Sequence, residues 1–158
     1  MRKIILITML MLISRGLVAQ TVQRNQFADY VEWLQTNNPN LGNFVNEWLG
    51  VKYKLGGNTK KGIDCSQFTK RLYLDVYGIQ LQGVAYKQWT QTIRIKKDNL
   101  QIGDIVFFSS KQSPSGWHCG VYLGNRVFVH AANRYENVKL SNLDEPKYVK
   151  TYKGAGRY

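Results

Sequence analysis

The stretch that decides the fold is residues 117–131, WHCGVYLGNRVFVHA. Apolar, β-branched and aromatic residues fill it on both sides of a central Gly-Asn pair, which is typical of a turn. This pattern predicts two antiparallel strands, residues 117–123 and 126–131, joined by a tight connection. Each strand carries one of the two histidines of the chain, His118 and His130.

These two histidines can act together only if they share a face of the hairpin. Successive side chains of a strand point to opposite faces, so the length of the turn decides which residues share a face. A two-residue turn at Gly124-Asn125 would put His118 and His130 on opposite faces. A shared face therefore predicts a three-residue loop at 123–125, or a bulge nearby.

Cys65 is the candidate nucleophile. Asp64 is a favourable helix N-cap, and the apolar spacing after it predicts a helix that ends at Gly78. A cysteine in the first turn of a helix lies at the positive end of the helix dipole, which favours the thiolate. His118 can take the thiol proton and His130 can orient that base, as thiol catalysis requires.

The second cysteine, Cys119, follows His118 directly. Because neighbouring residues of a strand face opposite ways, Cys119 points into the core if His118 reaches Cys65. This placement argues against a disulfide between the two cysteines, which an exported chain would otherwise favour.

Residues 1–19 have the pattern of an export signal: a basic start, an apolar run at 4–13 and a small-residue exit at Ala19. The apolar run is about half of the ~20 residues that a membrane-spanning helix needs. We therefore expect export to the periplasm or beyond, cleavage after Ala19 and no stable membrane anchor.

The chain is strongly basic, with a formal charge of +12. An exported basic protein meets wall polymers, lipid head groups and the carboxylates of peptidoglycan peptides. The basic residues do not cluster with aromatics in the manner of RNA-binding proteins, which argues against nucleic acid as a partner.

The remaining pattern places helices first and strands later. Further elements are predicted as helices at 25–34, 41–49 and 85–90 and as strands at 105–108 and 148–152. This order predicts a single α+β domain with N-terminal helices packed on an antiparallel β-sheet. The expected divisions are a signal peptide at 1–19, a helical segment at 20–48 and a catalytic domain at 49–158.

Several ordered motifs resemble the NlpC-like cell-wall cysteine peptidases, and most closely the Spr-type murein endopeptidases. They are GVKY at 50–53, LGGNTKKGIDCS at 55–66, IGDIVFF at 102–108, HCGVYLG at 118–124 and FVHA at 128–131. The resemblance implies a papain-like fold and a catalytic triad of Cys65, His118 and His130 that needs no metal and no cofactor.

The resemblance also implies that Tyr53 lies near the oxyanion and that Asp64 and Ser66 line the substrate cleft. Each of the three also has a structural interpretation. Tyr53 can be a packed aromatic, Asp64 a helix cap and Ser66 an ordinary residue of the first helical turn. Two residues depart from the family pattern: Gln67 replaces the usual glycine after the Asp-Cys-Ser run, and Cys119 replaces an aliphatic residue.

The activity implied is hydrolysis of amide bonds in peptidoglycan peptides, either between D-glutamate and diaminopimelate or at the D-alanine to diaminopimelate cross-link. Two other classes of function stay open, a catalytically silent wall-binding module and a Cys-His amidase or acyltransferase with another substrate. The sequence identifies no regulatory adaptor or inhibitor.

Overall fold

The computed structural model of the protein describes residues 18–19 and 26–158. Most of the expected signal peptide, residues 1–19, lies outside the described residues. No helix within the described ranges is long and apolar enough to cross a bilayer. The chain divides into two compact units, residues 1–42 and 43–158.

The first unit contains helix α1, residues 26–37, and the start of helix α2, Pro39–Trp48. Proline suits the first turn of a helix, where no intrahelical N–H bond is lost. The two helices approach closely at Gly42, where an added Cβ would lie 2.4 Å from the backbone nitrogen of Gln35. Only glycine fits this approach.

The second unit contains the remaining helices and all eight strands of the described residues. In chain order these are β1 Asn58–Thr59, β2 Gly62–Ile63, α3 Cys65–Tyr77, α4 Ala85–Gln91, β3 Ile93–Ile95, β4 Ile105–Ser109, β5 Trp117–Gly124, β6 Val127–Ala131, β7 Val138–Asn142, α5 Pro146–Thr151 and β8 Tyr152–Arg157. Six strands form an antiparallel sheet in the order β3-β8-β4-β5-β6-β7, and α3 packs on β5 and β6. The predicted α+β fold is confirmed.

Helix α3 begins and ends where the sequence predicts. Asp64 has extended backbone angles, and its Oδ1 accepts a hydrogen bond from the backbone N–H of Gln67 at 2.9 Å. Gly78 ends the helix with φ +69°, a conformation that a side chain would strain. The cap places Cys65 at the first position of α3.

The β5–β6 hairpin contains both a tight turn and a bulge. Asn125 and Arg126 have φ values of 48° and 67°, as a two-residue type I′ turn requires. The register then shifts between Tyr122 and Gly124. The predicted loop at 123–125 is wrong, but the bulge, its stated alternative, is present and restores the shared face of the two histidines.

The bulge also fixes what each face of the sheet packs against. Side chains of alternate residues on β4, β5 and β6 form a cluster with α5 and β8. Its buried members are Val106, Phe108, Tyr122, Phe128, Leu143, Tyr148 and Ala155. The opposite face of β5, which includes Cys119, is covered by α3 and α4.

The late strand predicted at 148–152 is wrong. Residues Pro146–Thr151 form α5, because proline in the first helical turn outweighs the strand preference of the following tyrosine and valine. The strand in this region is instead β8, which lies between β3 and β4 in the sheet and whose glycines hid it from sequence reasoning. A Cβ at Gly156 would lie 2.0 Å from Oγ1 of Thr92, so this strand needs its glycine. Strand β7 was also not predicted.

An ion pair between a buried carboxylate and a partly exposed guanidinium connects the residue before β4 to the end of β8. Asp104 is 2% exposed, and its two oxygens accept hydrogen bonds from Arg157 Nε at 2.7 Å and Nη2 at 2.9 Å. The backbone N–H of Gln101 donates to the same carboxylate at 2.8 Å. Loss of the Arg157 guanidinium would leave the Asp104 carboxylate with only one of these donors, the N–H of Gln101.

Substitution Arg157→Ala should therefore lower the free energy of unfolding by several times as much as Arg71→Ala, because a buried carboxylate loses its charge partner. Urea unfolding followed by circular dichroism measures this change. Arg71→Ala is the matched control, since its ion pair with Asp75 is exposed and should contribute less than about 0.5 kcal/mol. Equal losses in the two variants would contradict the assignment.

Candidate active site

Cys65 lies at the start of α3 and lines a cleft of about 360 Å³. Its side chain is 7% exposed, so a substrate group can reach the sulfur only from the cleft. The helix begins at this residue, and its backbone N–H therefore has no partner in a preceding turn. The Cys65 sulfur is thus partly shielded from solvent, and the backbone N–H of the same residue is available as a hydrogen-bond donor.

The backbone N–H of Cys119 on β5 is one of the groups that interact with the Cys65 thiol. The N–H of Tyr122 donates to the carbonyl of Asp104, so this residue bonds toward β4. Backbone groups alternate along a strand, and the N–H of Cys119 therefore points to the other edge. Within the described residues β6 pairs with β5 only from residue 121 onward, and the Cys119 N–H donates to Cys65 instead.

His118 and His130 are in direct contact. Nε2 of His118 lies 2.7 Å from Nδ1 of His130. Continuation of the β5–β6 register puts Gly120 opposite His130, so the two imidazoles meet on the diagonal. A Cβ at Gly120 would lie 2.9 Å from the Cβ of His130. The missing side chain gives the His130 ring room to reach His118.

The second nitrogen of His130 contacts two hydroxyls. Nε2 lies 3.1 Å from Ser141 Oγ and 3.1 Å from Tyr148 Oη, and these oxygens are 3.2 Å apart. Sequence reasoning missed both residues. Residues with hydroxyl groups are common in strands and helices, and the sequence pattern predicts a strand at Tyr148. No local signal in the sequence therefore identifies Ser141 and Tyr148 as partners of His130.

The hydroxyl contacts determine which ring nitrogen of His130 carries the proton. Burial lowers the pKa of His130 well below its usual value, and the positive charges of His118, Lys139 and Lys147 act in the same direction. The ring is therefore neutral and has a single N–H. We place this proton on Nε2 of His130, which donates it to the hydroxyls. Nδ1 of His130 then accepts a hydrogen bond from the Nε2–H of His118. This leaves Nδ1 of His118 for the Cys65 thiol.

The surroundings of Cys65 favour the thiolate. A hydrogen bond from the Cys119 thiol lowers the pKa of Cys65 well below its usual value, and burial opposes this effect. The positive charge and hydrogen bond of His118 and the backbone N–H of Cys119 lower it further. The arrangement holds a reactive sulfur anion beside an imidazole that can return a proton.

Cys119 is fully buried, as the alternation along β5 predicts. Both cysteines are free thiols. Burial raises the pKa of the Cys119 thiol well above its usual value, and the nearby Cys65 raises it further.

Tyr53 lines the cleft that contains Cys65. Burial, together with the negative charges of Cys65 and Asp64, raises the pKa of its phenol to about 12. The hydroxyl thus stays protonated, and it can donate a hydrogen bond alongside the backbone N–H of Cys65. The segment is anchored by the Tyr53 N–H, which donates to Oδ1 of Asn137 at 3.2 Å.

Asp64 and Ser66 also line the cleft, and both are held by hydrogen bonds of the helix cap. Oδ1 of Asp64 accepts from Ser66 Oγ at 2.8 Å, and Oδ2 accepts from the N–H of Gly56 at 2.9 Å. Ser66 Oγ also lies 2.9 Å from the carbonyl oxygen of Gly83. The cap thereby joins three chain segments into one wall of the cleft.

Gln67 extends this wall. Its Nε2 donates to the carbonyl of Gly83 at 3.0 Å and fixes the segment before α4 against α3. Residues 113–115 and Trp117 also line the cleft, and Trp117 packs against Tyr86 and Trp89 of α4. Among the described residues no group of three or more histidine, cysteine, aspartate or glutamate side chains could hold a metal ion.

Comparisons with known proteins agree with this geometry. The NlpC/P60 family profile matches residues 50–157. The "Murein DD-endopeptidase MepS/Murein LD-carboxypeptidase" of Escherichia coli is 40% identical over 111 residues, which are 70% of this chain and 57% of that protein. A "Probable endopeptidase NlpC homolog" of Haemophilus influenzae is 40% identical over 71% of this chain and 58% of its own length. The chain thus spans less than two thirds of the length of these two relatives.

Among solved structures, the NlpC/p60 domain of the peptidoglycan hydrolase SagA is similar with a TM-score of 0.65 and 27% identity. The similarity covers 77% of this chain and 99% of that domain. The resemblance predicted from the sequence motifs is confirmed. A family profile that spans the cleft, helix α3 and the sheet from residue 50 to residue 157 shows that the chain belongs to the NlpC/P60 family.

Proposed function

We propose that the protein is an exported cysteine endopeptidase that hydrolyses amide bonds in the peptide part of peptidoglycan. Cys65 is the nucleophile, His118 is the base, and His130 orients that base. The single observation that carries the proposal is the series of contacts from Cys65, which lines the cleft, through His118 to His130.

The reaction follows from the positions of these groups. The Cys65 thiolate attacks the amide carbon, and the carbonyl oxygen becomes an oxyanion beside the Cys65 N–H and the Tyr53 hydroxyl. The C–N bond breaks as His118 gives its proton to the leaving amine, which leaves a thioester on Cys65. His118 then takes a proton from water as the water attacks the thioester. The carboxylic acid product leaves, and the thiolate of Cys65 is restored.

Peptidoglycan is proposed as the substrate on two grounds. The Escherichia coli and Haemophilus influenzae relatives are named as endopeptidases, the first of them a murein enzyme. The basic chain, with a formal charge of +12, suits an anionic wall polymer. Export by residues 1–19 and a catalytic domain at 49–158 belong to the same proposal.

A silent binding module fits the site less well. Such a module needs neither a thiol with a lowered pKa nor a buried His130 in contact with a second histidine, since both cost stability unless they serve chemistry. An acyltransferase would use the same groups, and only the products of the reaction distinguish it from a hydrolase.

Replacement of the nucleophile tests the proposal directly. Cys65→Ala should reduce product formation from purified muropeptides by at least about 10³-fold, because no other group can form the thioester. Mass spectrometry of cross-linked and uncross-linked muropeptides would also identify which bond is cut. Tyr135→Ala is the matched control, since this tyrosine is 75% exposed and outside the cleft.

Turnover that survives in Cys65→Ala would contradict the assignment of the nucleophile. If the parent protein, with a reactive thiol, leaves both muropeptide classes intact, the binding module or another acyl substrate becomes the better explanation. A product that carries a new acyl acceptor in place of water would identify a transferase.

The hydroxyl pair behind His130 gives a second prediction. The double substitution Ser141→Ala with Tyr148→Phe removes the acceptors of the His130 Nε2–H, so the proton moves to Nδ1 and opposes the N–H of His118. We expect kcat to fall about 10- to 100-fold with little change in KM.

Tyr152→Phe is the control for this experiment. Its hydroxyl is buried and, within the described part of the chain, has no hydrogen-bond partner. It also packs against the cluster that contains Tyr148. Its removal should leave kcat unchanged, and an equal fall of kcat in both proteins would show that packing, rather than the His130 proton, is responsible.

A further inference from the structure

Lys153 is the extra residue of a bulge in β8. Phe107 of β4 pairs with Gly154, and Phe108 of β4 pairs with Tyr152. No residue of β4 is left to pair with Lys153, which lies between these two pairs. A regular strand would turn residues 153 and 154 to opposite faces of the sheet, whereas a bulge changes the direction of the extra side chain. Lys153 can therefore face the same side of the sheet as Gly154.

That side of the sheet carries an aromatic cluster. A Cβ at Gly154 would lie 2.9 Å from the indole ring of Trp89, so this ring can pack on β8 only because the side chain is missing. The ring centroids of Trp89 and Trp117 are 5.6 Å apart, and Tyr86 packs on Trp117 at 5.8 Å. These contacts hold the Trp117 ring at the catalytic cleft, which the same residue lines.

The Lys153 ammonium lies over the Trp117 ring. Its Nζ is 4.2 Å from the ring centroid, a distance at which the π system attracts a cation. Within residues 18–19 and 26–158 this ammonium forms no ion pair and no hydrogen bond, and the side chain is exposed. The ring thus restricts a long, flexible side chain and leaves its N–H donors for another partner.

The charges along the cleft orient an acidic peptide. None of the described residues that line the cleft is a lysine or an arginine. Asp64 and the Cys65 thiolate are negative, and both lie at the start of α3. A carboxylate is repelled from that end of the cleft and attracted to Lys153 beside Trp117.

We propose that Lys153 is a specificity-determining residue of the cleft, whose ammonium binds a carboxylate of the peptidoglycan peptide while the Trp117 ring supports it. D-glutamate and diaminopimelate residues of these peptides carry carboxylates that the peptide bonds leave free. The bulge in β8 is the feature that directs the cation to this place. The inference rests on the proposed function, since it takes a peptidoglycan peptide to be the substrate.

The test measures the dissociation constant of a purified muropeptide with free carboxylates by isothermal titration calorimetry, in the Cys65→Ala protein so that no bond is cut. Lys153→Gln removes the charge at similar length, and Lys153→Arg keeps it. We expect Kd to rise about fivefold in the glutamine variant and to change less than about twofold in the arginine variant. The rise should shrink as salt is added, because the contact is exposed.

Lys97→Gln is the matched control. The Lys97 ammonium also lies over an aromatic ring, with its Nζ 5.2 Å from the ring centroid of Tyr152, but this tyrosine does not line the cleft. The control removes the same charge from the chain and should leave Kd unchanged. An equal rise of Kd in both glutamine variants would overturn the proposal, because the effect would then follow net charge rather than a contact at the cleft.

A muropeptide with amidated carboxylates tests the chemistry of the ligand. The parent and the Lys153→Gln variant should bind the fully amidated peptide with the same Kd, and a persistent fivefold difference would contradict a carboxylate ligand. Peptides amidated only at D-glutamate or only at diaminopimelate would identify which carboxylate Lys153 binds.

The two proposals fail in different ways. Equal Kd values for the unamidated peptide with and without Lys153 would overturn the inference and leave the proposed function standing, which product formation by the parent protein tests separately. If the protein with Lys153 intact binds no muropeptide, the proposed substrate is wrong and the inference fails with it.

Discussion

The hydrogen bond between His118 and His130 is the contact on which the site depends. It forms only because the bulge in the β5–β6 hairpin brings both residues to one face and because Gly120 leaves space between them. Helix α5 covers that face and supplies Tyr148, which fixes the far side of the His130 ring. The turn, the bulge, Gly120 and helix α5 thus all contribute to the contact between Nε2 of His118 and Nδ1 of His130.

Cys65, the proposed nucleophile, is positioned in a different way, by the cap that begins α3. A strand edge without a partner presents backbone donors that normally bind another strand. On β5 the pairing with β6 begins only at residue 121 within the described residues. The buried N–H of Cys119 lies before that point, and its interaction with Cys65 helps to lower the pKa of the Cys65 thiol.

The sequence was informative wherever function depends on local chemistry. The cap at Asp64, the end of α3 at Gly78 and the shared face of the two histidines all follow from short-range rules of helix and strand geometry. Ser141 and Tyr148 could not be predicted, because they meet His130 only through the pairing of β6 with β7 and the docking of α5. Proline before Tyr148 was the one local signal that would have corrected the late strand.

The lining of the cleft is held in two ways. At the start of α3, hydrogen bonds of Asp64, Ser66 and Gln67 join the lining to Gly56 and Gly83. Residues 113–115 also line the cleft, and there Ser113 and Ser115 bond to each other in an exposed loop. A change of sequence in this loop would therefore alter the shape of the cleft without breaking the hydrogen bonds of Asp64, Ser66 and Gln67.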